Sequence, residues 1–485
     1  MQTSFLSWPW LFATLAFMSM AFLVYYFRHQ LRQKSGLTTG RVLPAILKFT
    51  IPLLIGNIFQ QVYSLVDMII VGQYVGKQGL AAVGVAAQIM FLLISMVIGL
   101  TIGMTVVIAQ LYGSKQHGAV GRAIGTSYII TGILCVVLGV IGYIFAPVLL
   151  RWMNTPADIF DWSLGYFRIM MIGILGLFGY NMAAGILRSV GDSVTPLLFL
   201  IFATALNIIF DLLFIRVWHM GVNGAAWATI VAQSVAFLGT IVYTQRLKEE
   251  YLHMHVKNLV FDLGLAKKML GIGLPASIQQ VLISVSLFIV FSLVNKYGTD
   301  AASAFTAIGR IDALVILPGM SLMMTMSTFV AQNLGSDHIQ RVRKGVNQTL
   351  LFGFGLTAVL MALIVLFIQP IMQLFIKSNE TQVLAIARRY FYLIGWSYPI
   401  ATIMFIMNGA MRGAGKTLMS MIFSMISIIL LRIILAYQLQ HIWGLSGVFW
   451  SFPTTWLAGF IMTYVYWNFF GHWQKSVVAP SKVGG

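Results

Sequence analysis

Apolar runs of about twenty residues or more succeed one another along this 485-residue sequence, separated by short segments that carry nearly all of its charge. A helix rises ~1.5 Å per residue, so about twenty apolar residues cross the ~30 Å hydrocarbon layer of a bilayer. Only 9% of the residues are charged and 59% are hydrophobic, whereas a soluble domain carries about 25% charged residues. The chain therefore reads as an all-α polytopic membrane protein, and its length does not count domains.

Thirteen runs can be delimited, at about 5–27, 45–71, 80–110, 122–147, 162–187, 194–216, 222–244, 268–295, 302–330, 345–371, 382–410, 417–438 and 445–470. The first is numbered helix 0 and the others helices 1 to 12. Formal net charge is +18, which in a soluble chain would point to nucleic acid. Here cationic loops that orient membrane helices account for it, so membrane lipids are the expected surroundings and no nucleic-acid partner is expected. Placing the start of helix 0 outside puts 20 Lys and Arg residues on the cytoplasmic side and seven outside. That bias predicts a multi-pass protein of the cytoplasmic membrane with its N-terminus outside and its C-terminus in the cytoplasm. Because helix 0 is followed, not preceded, by basic residues, it reads as a retained anchor. The lone Cys135 lies inside an apolar run, which excludes an intrachain disulfide and a Cys-based metal site.

Helices 1 to 6 and 7 to 12 are copies of one another. Ala109-Gln110-Leu-Tyr-Gly113-Ser114 recurs as Ala331-Gln332-Asn-Leu-Gly335-Ser336. Gly185-Ile-Leu-Arg188-Ser-Val-Gly191 recurs as Gly409-Ala-Met-Arg412-Gly-Ala-Gly415, and Gly221-Val-Asn-Gly224-Ala-Ala-Trp227 as Gly444-Leu-Ser-Gly447-Val-Phe-Trp450. Pro52 pairs with Pro275 in the same way. An even number of helices per copy means a parallel repeat, related by an axis along the membrane normal. The expected organisation is an extra transmembrane helix and basic linker at 1–44, a first lobe at 45–244, a cytoplasmic linker at 245–267, a second lobe at 268–470 and a cytoplasmic tail at 471–485. The symmetry does not need helix 0, which is expected to be peripheral.

Acidic residues are few enough to place one by one. Nine of the twelve fall in loops or at helix ends, and only Asp67, Asp211 and Asp312 lie inside apolar runs. A carboxylate at membrane depth is costly and faces the protein interior or a water-filled cavity, which makes it a functional candidate. Asp67, Asp211 and Thr229 each lie five to nine residues from the same outer end of helices 1, 5 and 6, at similar depth in one lobe. Asn207, four residues before Asp211, shares its helical face. Two carboxylates, an amide and a hydroxyl form a hard oxygen-donor site for Na⁺, or one that holds a proton between its acids. The equivalent second-lobe positions near Val290, Leu430 and Ile434 are apolar, so ion coupling is expected in the first lobe alone. Asp312 and Arg432 reach similar depth in the second lobe, as a buried ion pair or with the acid serving a cleft that attracts cations.

Other signals are weak. The histidines show no zinc spacing, and His253-Met-His255 reads as solvated loop. Gly415-Lys416-Thr417 resembles the tail of a phosphate-binding loop, but Ala410 stands where the earlier glycine is required. No metal and no cofactor beyond a coupling ion is expected.

Pro52, fifteen residues before Asp67 in Val66-Asp67-Met-Ile-Ile-Val71-Gly72, together with Asn207-Ile-Ile-Phe-Asp211 and Gly221-Val-Asn-Gly224-Ala-Ala-Trp-Ala-Thr229, resembles the multidrug and toxin extrusion family over about residues 45–470. The resemblance implies a two-lobe antiporter that exports small amphipathic cations in exchange for H⁺ or Na⁺ by alternating access. It also implies a cation site at Asp67, Asn207, Asp211 and Thr229 and a helix hinge at Pro52. The chain is expected to be a monomer and not an enzyme. It departs from sodium-coupled members in that helices 7 and 10 lack acids, Gln279 and Gln280 being the nearest polar residues of helix 7. This favours the proton-coupled branch. The alternative within the superfamily is a flippase of lipid-linked sugars, whose clefts need cationic residues for phosphate where the first lobe offers acids. A membrane-embedded enzyme would need a catalytic constellation that the runs do not contain, and a channel fits a two-lobe repeat poorly.

Overall fold

The computed structural model describes residues 36–253, 259–373, 380–475 and 478. Helix 0, His255 and the end of the tail lie outside the described residues. Within them the chain is helical, without a strand. Twelve helical segments follow the apolar runs: α1 Val42–Tyr74, α2 Lys77–Gly113, α3 His117–Trp152, α4 Ala157–Ile172 with Ile174–Ser189, α5 Val194–Val217, α6 Gly221–Gln245, α7 Leu263–Asn295, α8 Thr299–Gly335, α9 Ile339–Leu366, α10 Thr381–Gly413, α11 Thr417–Trp443 and α12 Leu445–Val465. Ten are long and apolar enough to cross a membrane, and the bent pair of α4 makes an eleventh. At 21 residues, α12 also matches the bilayer in length at ~1.5 Å per residue, although Ser446, Ser451, Thr454 and Thr455 make it less apolar.

The side chains are arranged as in a protein solvated by lipid. On α3 an apolar stripe at Ile133, Val136, Val140 and Ile144 is exposed, and on α9 Leu351, Val359, Leu363 and Leu366 are as well. Many polar side chains are buried instead, among them Asn207, Asp211, Gln279, Arg412 and Arg432. Hydrocarbon offers no hydrogen bonds, so polar groups turn inward and apolar ones outward.

Two compact units are present. Among the described residues, one contains 51–112, 116–253 and 259–267, and the other 37–50, 113–115, 268–373 and 380–475. The division crosses α1 between Thr50 and Ile51, one residue before Pro52. In the second unit Thr50 Oγ1 lies 2.9 Å from Thr325 Oγ1 of α8.

The repeat written in the letters is also written in the backbone. Left-handed residues recur at matching places: Gly76 and Gly298, Lys115 and Asp337, Gly191 and Gly415, Gly221 and Gly444. These turns close with bonds five residues back, Gln116 N–H to Leu111 O and His338 N–H to Asn333 O, then Asp192 N–H to Leu187 O and Lys416 N–H to Met411 O. Helices 4 and 10, read from sequence as continuous, are both interrupted, α4 by a 50° bend at Gly173 and α10 by a 3-10 turn over Gly395–Ser397. Gly173 has no room for a Cβ because Ile230 of α6 occupies that space, so close packing and the bend arise at one glycine.

Packing between α8 and α10 in the second unit depends on small residues. A Cβ at Gly409 would run into the Met323 carbonyl oxygen, whereas one at Gly355 would meet nothing. Gly409→Ala is expected to destabilise the protein by ~1–3 kcal/mol, as overpacking does, and Gly355→Ala, inside a helix with free space, to stabilise it by up to ~1 kcal/mol, as measured by thermal unfolding of the purified protein.

Candidate functional site

In the first unit Asp67 on α1, Asn207 and Asp211 on α5 and Thr229 on α6 come together, with Tyr63 one turn before Asp67. The carboxyl groups of Asp67 and Asp211 approach each other closely enough to interact directly. Two carboxyl groups in direct contact favour a proton or a cation between them. Asp211 is fully buried at 0% exposure, and Oδ1 of each acid is buried with no hydrogen-bond partner among the described residues. Two unit charges about 4 Å apart repel by roughly 4 kcal/mol at an effective dielectric of about 20. The pair is therefore a site for a proton or a cation by its own electrostatics.

The surrounding groups orient it. Asn207, with its amide turned to satisfy both neighbours, donates from nitrogen to Asp211 Oδ2 at 3.0 Å and accepts at oxygen from the Thr229 N–H at 3.3 Å. Tyr63 Oη lies 3.2 Å from Thr229 Oγ1, and Tyr166 of α4 is close enough to feel both carboxyls. Asp211 is also the last α-helical residue of α5, where the backbone passes into a π-helical stretch, Leu212–Val217. Wide turns of this kind are frequent at functional sites. Sequence reasoning missed Tyr63 and Tyr166. Tyr63 was within reach of the rule that residues four apart on a helix share a face, but Tyr166 lies on α4 and had no such signal.

In the second unit the ion pair, one of the two arrangements expected of Asp312 and Arg432, is not formed. Asp312 on α8 instead accepts hydrogen bonds from Tyr390 Oη at 2.9 Å and from Tyr398 Oη, both on α10. Arg432 on α11 donates from Nε and Nη2 to Thr455 Oγ1 of α12 at 3.2 and 3.0 Å and lies over the Phe452 ring at 4.6 Å. The hydroxyls at 390, 398 and 455 hold each charged group by hydrogen bonds but supply neither with a counter-charge. Both still line one cavity. Arg432 also directly follows a π-helical segment, Met425–Leu431. Gln279, the nearest polar residue that helix 7 offered, is already engaged: its Oε1 accepts from Arg412 Nη2 at 2.8 Å and its Nε2 donates to Ser424 Oγ at 2.6 Å. Val290, the counterpart of Asp67, is buried in apolar packing.

Twelve helical segments in a parallel repeat, with paired acids buried in the first unit, define a polytopic membrane transporter. The MatE family model matches residues 52–213 and 275–438, and the chain belongs to this family of multidrug and toxin extrusion transporters. It is 32% identical over 438 residues to the probable multidrug resistance protein YoeA of Bacillus subtilis (strain 168), covering 89% of this chain and 94% of that one. It is 28% identical over 445 residues to the probable multidrug resistance protein YpnP of the same organism, covering 92% and 99%. A crystal structure of MATE in the bent conformation superimposes with a TM-score of 0.83 at 23% identity, covering 90% of this chain and 96% of that one.

With Asp312 and Arg432 held separately, the stability losses of Asp312→Asn and Arg432→Gln should add within about 0.5 kcal/mol, as for uncoupled sites. A double variant more stable than either single one would restore the ion pair.

Proposed function

We propose that the protein is a secondary active antiporter of the cytoplasmic membrane that exports small amphipathic, predominantly cationic compounds in exchange for protons, with Asp67 and Asp211 as the coupling site. The observation that carries this reading is the close pair of buried carboxyl groups, each with an oxygen that has no hydrogen-bond partner among the described residues. The names of the relatives, both probable multidrug resistance proteins, supply the cargo class.

Sodium is less well served. Na⁺ is a hard cation that takes several oxygen ligands. A proton needs only the two acids. Loading that proton removes a charge from the first unit, and losing it restores one, so the two forms differ in electrostatics at the junction of α1, α5 and α6.

Pro52 is the hinge through which this change acts. It lacks an amide hydrogen and interrupts the backbone ladder of α1, and it lies one residue past the place where that helix leaves one compact unit for the other. The charge bias of the loops supports an N-terminus outside and a C-terminus in the cytoplasm, and the chain acts as a monomer in the absence of any need for a second copy at the site.

Purified Asp67→Asn in proteoliposomes should lose at least ~10-fold of its dye-cation efflux under an imposed pH gradient, equivalent to about 1.4 kcal/mol of lost coupling, while folding and inserting normally. Wild-type efflux from that variant would remove Asp67 from the coupling site. Efflux by the unaltered protein that follows a sodium gradient and ignores the pH gradient would replace the proton with Na⁺.

A further inference from the structure

The second unit holds a cavity of about 680 Å³, within the ~300–1,000 Å³ range of small-molecule sites. Its wall is built from aromatic rings, Phe288, Phe291, Phe305, Phe405, Phe452 and Trp456, with Asp312 and Arg432 on the same surface. These two opposite charges share a cavity without pairing. Arg432 is only 3% exposed, and its Nε and Nη2 are held by Thr455. Among the described residues no carboxylate pairs with it, and its printed polar partner is a neutral hydroxyl. Asp312 is held by two tyrosine hydroxyls and has no cationic partner among the described residues.

A buried charge without a counter-charge is costly, and here one of each sign faces an apolar space. An amphipathic cation alone would satisfy Asp312 and leave Arg432 as it is. A ligand with an ammonium and a carboxylate on an aromatic body would satisfy both, and a guanidinium is well matched to a carboxylate. The Thr455 hydroxyl fixes the guanidinium plane before a ligand arrives. Phe452, under Arg432, and the other rings offer flat surface to an aromatic body.

We propose that this cavity is a binding site for zwitterionic aromatic amphipaths, with Asp312 receiving the ammonium group and Arg432 the carboxylate. The proposal deepens the export reading by naming a cargo class, and it rests on that reading only for the statement that the bound molecule is exported.

The test uses the full-length protein in lipid nanodiscs and three fluorescent probes of one shape. Nε-dansyl-lysine carries both charges, its methyl ester only the ammonium, and its Nα-acetyl derivative only the carboxylate. The wild type should bind the zwitterion at least ~10-fold more tightly than either relative, equivalent to about 1.4 kcal/mol. Arg432→Gln should bring the zwitterion down to the level of the ester, and Asp312→Asn to that of the acetyl derivative. If Arg432→Gln does not fold, Thr455→Val, which frees the guanidinium, should reduce the preference in the same direction. Equal wild-type affinity for zwitterion and ester, or a preference that survives Arg432→Gln, overturns the assignment. Dye-cation efflux from proteoliposomes is measured in parallel. A flat probe series with active efflux removes this site alone, and a zwitterion preference without efflux removes the export reading alone.

Discussion

The contact between the Asp67 and Asp211 carboxyl groups is the interaction on which the rest of the account depends. Two acids in direct contact inside a protein do not stay together as two bare charges, so their meeting favours a proton or a cation between them. The scaffold delivers them to one point from distant parts of the sequence: α1 brings Asp67, and α5 brings Asp211 at the residue where its winding changes to π. Asn207, Thr229 and Tyr63 then restrict how the acids turn. A site with two unpartnered carboxyl oxygens in the interior is expensive, and a membrane protein retains such a cost where the charge state has a use.

Duplication supplies the frame and divergence supplies the chemistry. Left-handed turn residues, helix-closing hydrogen bonds and the breaks of α4 and α10 recur in both units at the same spacing. The charged sites do not. Asp67 corresponds to buried Val290, and Asp312 falls opposite the buried apolar stretch around Ile89 and Met90 of the first unit. Where the second unit does hold polar groups at the α7–α10 contact, Arg412 already fills them by bonding Gln279. The two units thus share a backbone plan and perform different electrostatic work, one with a pair of like charges and the other with separated opposite ones.

Much of this was legible in the letters because a bilayer simplifies the rules. Run length gave the helices, the repeat gave the two-part plan, and the scarcity of acids singled out Asp67, Asp211 and Asp312. The bend at Gly173 and the 3-10 turn at Gly395 were not legible, since glycine inside an apolar run is equally compatible with close packing and with a break. The Asp312–Arg432 pairing failed for a related reason. Depth along a helix can be counted, but rotation about its axis and the hydroxyls on neighbouring helices cannot, and Tyr390, Tyr398 and Thr455 meet those charges first. Tyr166 escaped in the same way, being brought to the acids by a helix whose sequence gives no sign of them.

The proposal at the centre is that Asp67 and Asp211 hold a proton and, as exchange requires, give it up when cargo binds. Infrared difference spectroscopy of the purified protein, recorded with and without a dye cation, observes this directly through the C=O stretch of a protonated carboxyl group. The account predicts that the band is lost on binding in the wild type and that the change is absent from Asp67→Asn. A spectrum in which both acids are ionised without cargo, or a band that cargo leaves untouched, would contradict it.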